Sequence, residues 1–268
     1  MVDVRHETIP ARPKFALGAK ETEKLIAISS PLILLLLWEV LARVGIIDQR
    51  FFPAPLRIFW VMAGMFAQGE LWTHIAISLQ RLAVGLVIGG VPALVLGVIM
   101  GLNRKIYAFF DPVISATYPI PKSSILPLAL LIFGLGEASK VFMVAIGVFY
   151  PMVINAATGV RGINQIYLDV GKNYGANARQ VFMKIALPGA MPVILTGVRL
   201  GIGMGLVLIA IAEMVGAKSG LGYMIWAAWE TFAVEQMYVG LFCIAIIGFL
   251  LNLCINQVEK LLVPWRRR

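Results

Sequence analysis

The side chains best placed to do chemistry in this sequence are basic residues inside apolar runs. Arg43, Arg81, Lys122 and Arg199 fall within or beside stretches of membrane-like composition. A cation at the bilayer centre costs on the order of 2.5 to 3.5 kcal/mol on insertion scales, so each needs a carboxylate, water or a route to the surface. Arg43 lies near the end of its run and reads as a snorkelling side chain. Lys122 follows Pro119-Ile120-Pro121 and precedes Ser123 and Ser124. It either borders a cavity and attracts an anion or anchors the chain at the interface. Arg199, two turns after Pro192, either pairs with a carboxylate or lines the same cavity. Met204 and Glu213 follow on that run, and Glu213 either closes a gate or caps a loop. Lys122, Ser123, Arg199, Met204 and Glu213 are the candidate pathway and gate residues.

Catalytic machinery is missing from the sequence. It contains no Gly-x-x-x-x-Gly-Lys-Ser/Thr phosphate loop, no Ser-His-Asp set and no paired carboxylates of the kind that hydrolyse a substrate. Cys243 and Cys254 share the last apolar run at a spacing that fits neither zinc nor a redox pair, and they read as buried thiols. With His6 and His74 far apart, no metal site is expected. The reading is not an enzyme, with no cofactor of its own; if ATP drives the protein, another chain binds it.

One polar passage, Asp169 to Pro188, interrupts the apolar pattern. Asn164 can accept from the free N–H groups of a helix starting near Gln165, and Gly175 can take the left-handed conformation that ends it. Asn177 with Gln180 has the spacing of a capping box, opening a second helix with Val181, Phe182 and Ile185 on one face. Pro188 is expected to force Leu187 out of helical geometry. Two capped helices with an apolar face make a docking surface rather than a solvated loop.

These elements belong to a membrane protein: 60% of residues are hydrophobic and 14% charged. Residues 1–24 read as a polar tail, and the run that follows is too long for a signal peptide and is expected to be a retained anchor. Six spans are expected, near Leu25 to Ile47, His74 to Gly101, Pro112 to Phe133, Ser139 to Val160, Pro192 to Glu213, and Ala233 to Gln257. Pro119, Pro121 and Pro127 interrupt the third. Asp48 to Trp72 holds an interfacial helix, and Gly216 to Phe232 dips partly into the protein. With a cytoplasmic N-terminus, fifteen Lys and Arg lie inside and four outside, which places both termini and the polar passage in the cytoplasm. The net charge of +9 is explained by this dispersal, not by nucleic-acid binding. Gly85, Gly89, Gly97, Gly101, Gly197, Gly201 and Gly205 repeat at four-residue spacing, and either pack helices within one subunit or face a second copy or the pathway.

The polar passage resembles the EAA loop of ABC-importer permeases, which reads Glu-Ala-Ala, three residues, Gly, nine residues, Ile-x-Leu-Pro. Asp169, Val170 and Gly171 fill the first positions, Gly175 the glycine, and Ile185, Leu187 and Pro188 the end. Phe52-Pro53-Ala54-Pro55, Tyr118 to Lys122, and Glu213-Met214 followed by Gly220-Leu221-Gly222 resemble the nitrate, sulfonate and taurine branch of these permeases. The resemblance implies an all-α, polytopic type I importer fold over residues 25–268, with the coupling loop at 161–188. It implies that Asp169, Val170, Gly171, Tyr174, Gly175, Ala176, Leu187 and Pro188 meet an ATPase. It further implies a second copy of the chain, two ATP-binding subunits that hold ATP and Mg, and a periplasmic or lipid-anchored substrate-binding protein, all at a bacterial inner membrane. The alternative transport reading is an ion-coupled secondary transporter. That class usually shows intramembrane carboxylates and internal repeats.

Overall fold

A computed structural model describes residues 16–265. The terminal arginines Arg266, Arg267 and Arg268, and most of the expected tail, lie outside the described residues. Two compact units divide the chain after Phe59.

The first unit holds α1 (Ala16–Arg43), which begins inside the expected tail and covers most of the first expected span. Arg43 is not simply a snorkelling cation, because its Nε donates to Glu39 at 2.5 Å. The other Glu39 oxygen accepts from the backbone N–H of Leu56 at 2.9 Å, at the start of α2 (Pro55–Ala67), the short helix expected between the first two spans.

The second unit is built on three long helices, α3 (Glu70–Leu102), α6 (Glu137–Arg161) and α9 (Leu187–Met214). α6 lies at the centre. Its Val144, Val148, Met152, Val153 and Ala156 recur at three- and four-residue steps, and all are buried. Glycines let its neighbours approach. A Cβ at Gly85 would fall 2.5 Å from the Val144 Cβ, one at Gly101 2.5 Å from the Val160 Cβ, and one at Gly197 2.6 Å from the Asn155 Cβ. The four-residue glycine pattern therefore serves packing within the subunit. Gly203 differs, because a Cβ there meets nothing within 4 Å among the described residues.

Among the described residues, four helices are long and apolar enough to cross a membrane: α3, α6, the run Arg179–Met214 that contains α9, and α11 (Val234–Leu262). The expected third span is not one helix. α4 (Arg104–Thr117) and the run Lys122–Phe133, which contains α5 (Leu126–Phe133), meet at 88° and count as a fifth span only if taken together. Pro119 and Pro121 remove two backbone donors at the break. Cys254 is exposed rather than buried, whereas Cys243 is buried.

The polar passage forms α7 (Gln165–Asn173) and α8 (Ala178–Val181), followed by a π-turn over Phe182–Ala186. Leu187 does not leave helical geometry, as its φ of −64° and ψ of −48° are helical. The π-turn is the physical reason: the Leu187 N–H reaches back five residues to the Phe182 carbonyl. This widened turn makes room for the Pro188 ring, which a regular helix would drive into the preceding turn. α8, the π-turn and α9 thus form one run of 36 residues, Arg179–Met214. Between α9 and α11, the dipping segment is α10 (Leu221–Glu230), with Leu221, Gly222, Met224, Ile225 and Ala228 buried.

Candidate functional site

At the loop end, α7 is closed at both termini as its sequence implies. Asn164 Oδ1 accepts from the Ile166 N–H at 3.0 Å. At the other end Gly175 sits at φ 76°, and the Ala176 N–H reaches the Gly171 carbonyl at 3.0 Å, the 6→1 bond of a Schellman motif. Asn177 and Gln180 exchange reciprocal bonds, both 2.9 Å, so the capping box forms. Gly171 is buried, and a Cβ there would lie 2.5 Å from Ile185 Cδ1, so α7 seats directly on the π-turn. Behind this hairpin, a concavity of about 500 Å3 lies between Leu168, Ala176, Val181 and Phe182 and the ends of α3 and α6. A stripe along one side of α7 is open: Ile166, Tyr167, Val170 and Tyr174 are exposed, Tyr174 at 89%. Asp169 is also exposed and accepts from Gln165 Nε2 at 3.0 Å.

At the far end of α9, Glu213 is completely buried. Its carboxylate accepts from Ser78 Oγ at 2.8 and 2.9 Å, from Arg81 Nη1 at 2.8 Å and from the Gly222 N–H at 3.0 Å. Arg81, only 4% exposed, also donates to the Ser219 carbonyl at 2.8 Å and to Glu137 at 2.5 and 2.6 Å. Ser78 Oγ accepts from the Leu221 N–H at 2.8 Å, and His74 Nδ1 from the Gly220 N–H at 3.1 Å. The free N–H groups opening α10 therefore end on side chains of α3 and α9. Gly220 has φ 116°, and a Cβ there would overlap the Glu213 carboxyl group. Glu213 thus accepts from the backbone at the start of α10. Sequence reasoning singled out Arg81 as needing a partner but missed Ser78, His74 and Glu137.

Lys122 is buried, with its ammonium 2.8 Å from the Thr117 carbonyl, 3.2 Å from that of Tyr118 and 3.9 Å above the Tyr150 ring. It satisfies the carbonyls that end α4 at the bend, while Ser123 beside it is exposed. Lys122→Gln is expected to lower stability by about 1.5–3 kcal/mol, the range for losing hydrogen bonds to a charged group. Thermal unfolding in detergent checks this; an unshifted transition would mean that the ammonium does not hold the bend.

Arg199 and Met204 do share one cavity, an open concavity of about 410 Å3 lined also by Tyr118, Asn155, Gly203 and Val207. Arg199 Nη2 donates to Asn256 Oδ1 at 2.6 Å and to Glu259 Oε2 at 2.9 Å, both on α11. The structure thus separates the expected pathway residues: Arg199 and Met204 line one concavity, Lys122 reaches it only through Tyr118, and Glu213 lies in the network with Arg81.

The chain is 35% identical over 248 residues to the taurine transport system permease protein TauC of Escherichia coli, covering 90% of this chain and 89% of that one. It is 30% identical to a putative aliphatic sulfonates transport permease protein of Bacillus subtilis, covering 88% and 86%, and 31% identical to a nitrate import permease protein of Synechocystis, covering 87% and 86%. A solved chain of the inward-facing MetNI methionine ABC transporter superposes with a TM-score of 0.59 at 18% identity, over 72% of this chain and 98% of that one, which shows the shared all-α fold. The model of the binding-protein-dependent transport system inner membrane components matches residues 93–268. The described helices, their apolar spans and these matches establish that the chain belongs to the binding-protein-dependent transport system inner membrane components.

Proposed function

We propose that this permease is driven through α7 by two ATP-binding subunits, which hold the ATP and Mg, and that it works as a pair of identical chains. A separate binding protein delivers the cargo from outside, and both termini and the hairpin at 161–188 lie in the cytoplasm, consistent with the distribution of Lys and Arg. The relatives named for taurine, aliphatic sulfonates and nitrate point to a small anion with an oxygen-bearing head group as cargo. Specificity rests mainly with the binding protein.

The observation that carries the reading is the exposed face of Ile166, Tyr167, Val170 and Tyr174 on a helix capped at both ends and seated through Gly171 on the π-turn. An apolar and aromatic face on a polar hairpin fits a protein groove. Asp169, Val170, Gly171, Tyr174, Gly175 and Ala176 form or support that face, while Leu187 and Pro188 join it to α9. A push on α7 would be carried along one continuous helical run to Glu213. Belonging to this family also decides against the ion-coupled alternative.

Gly175→Val tests the docking. Among the described residues nothing lies within 4 Å of a Cβ at that position, so the substitution acts through the backbone, at φ 76°. A left-handed β-branched residue costs about 1–3 kcal/mol, enough to reshape the end of α7 without unfolding the spans. The variant is expected to reach the membrane and keep its unfolding temperature, yet to copurify poorly with the ATPase or to lose stimulated ATP hydrolysis. Normal copurification and transport would sink the docking model.

A further inference from the structure

We propose that Arg199 is the contact for the oxyanion head group of the cargo as it passes, held between passages by Asn256 and Glu259 and released from Glu259 when the anion arrives. This rests on the reading that the concavity of Arg199 and Met204 borders the translocation route.

Among the described residues Arg199 is the one cation lining that concavity, and its side chain is 35% exposed. Its recorded hydrogen bonds all leave from a single nitrogen, Nη2. Nε is buried without an acceptor among the described residues. A guanidinium has five N–H donors in a planar fork matched to carboxylate-like and sulfonate-like oxygens, and a structural ion pair usually exploits that fork bidentately. Here the bond to Glu259 leaves from Nη2, and Nε, buried beside it, has no acceptor among the described residues. A buried donor without a partner is costly and calls for an explanation. A side chain that changes partners supplies one.

The surroundings fit an anion that stops briefly. Gly203 lies one turn beyond Arg199, and the space beside it is open, since a Cβ there meets nothing within 4 Å. Met204 and Val207 are exposed along the same face and offer apolar contact to the organic part of a sulfonate. Glu259 competes for the guanidinium, which keeps anion affinity low enough for release. A site that held the cargo tightly would block transport instead of assisting it.

The test uses the full chain purified with the subunits that accompany it. Cys243 and Cys254 are replaced by Ser, Gly203 by Cys, and the rate of labelling by N-ethylmaleimide is followed in nitrate, ethanesulfonate or chloride at constant ionic strength. Nitrate and ethanesulfonate should slow labelling relative to chloride. Glu259→Gln should lower the half-protecting concentration, because the competing carboxylate is gone. The double variant Arg199→Gln/Glu259→Gln keeps a neutral hydrogen-bonding pair between α9 and α11, so it separates an anion contact from a structural ion pair. In it the half-protecting concentration should rise about tenfold or more, the loss of a charge-assisted hydrogen bond, with the rate in chloride unchanged. Absence of protection in the parent, or equal protection in the double variant, overturns the proposal. Restoration of protection by added phosphatidylglycerol in the double variant also overturns it, since a lipid phosphate effect would then explain the result. ATP-driven uptake of taurine and nitrate into vesicles is measured in parallel. Protection that depends on Arg199 without any uptake would count against the cargo assigned above and not against the anion contact.

Discussion

Glu213→Ala is expected to destabilise the protein by about 3–5 kcal/mol, the cost of breaking a buried ion pair by removing one partner. The loss is large because several groups lose their acceptor together. Arg81 would keep Glu137, but Glu137 is mostly exposed and satisfies only the outer side of the guanidinium. The Gly222 N–H would lose its acceptor where α10 begins, and Ser78 would be left donating to nothing. Gly220 packs its backbone against the carboxyl and has no side chain with which to fill the gap. Glu213→Gln keeps the shape and one acceptor oxygen and should cost less. Thermal unfolding in detergent with size-exclusion recovery checks the order, with Ala below Gln and both below the parent. If Glu213→Ala unfolds with the parent, the network does not hold α10. Because α10, the preceding turn and the ends of α3, α6 and α9 share these bonds, a partial loss should also appear first as local opening of 216–230 under hydrogen exchange.

The parts of this architecture legible in the sequence are those set by neighbours in the chain. Asn164, Gly175 and the Asn177–Gln180 pair act over two or three residues, so their caps could be read without knowing the fold. The glycine stripes announced close helix approach, but whether the partner was α6 or a second chain depended on long-range packing. Arg81 illustrates the limit. Its need for a carboxylate followed from the cost of a buried cation, yet Glu213 lies 132 residues away and Glu137 56, and nothing local relates them. Leu187 shows a local rule yielding to its surroundings. Proline normally excludes helical geometry from the residue before it. The π-turn relieves the crowding, and Ile185 packing beside Gly171 helps to hold that turn. The apolar face expected on the second helix, Val181, Phe182 and Ile185, is half-buried toward Gly171 and the ends of α3 and α6, whereas the exposed stripe on α7 was not read from the sequence, because its direction is fixed by Gly171 turning toward Ile185.

Two glycines inside spans, Gly89 within the four-residue repeat and Gly203 outside it, should respond oppositely to one added methyl group. At Gly89 an ideal Cβ would overlap the Ala145 carbonyl oxygen and fall 2.6 Å from its Cα. The obstacle is backbone, so no rotamer change clears it, and Gly89→Ala must push α3 away from α6. Overpacking of a close-packed site costs about 1–3 kcal/mol, and more where the clash is with main chain. The movement would spread to Val144 and Val148, where α6 carries the buried core. At Gly203 the same methyl meets nothing, and alanine is the better helix former by roughly 1 kcal/mol. Gly203→Ala is therefore expected to match or slightly exceed the parent in unfolding temperature, while Gly89→Ala falls well below it or fails to accumulate. If both variants behaved alike, Gly89 would be acting through helix propensity and not through contact. A loss at Gly203 alone would place a packing partner on the open face of α9, where the concavity of Arg199 would then be covered. The pair of substitutions thus reads the packing of α6 and the openness of the proposed route in the same assay.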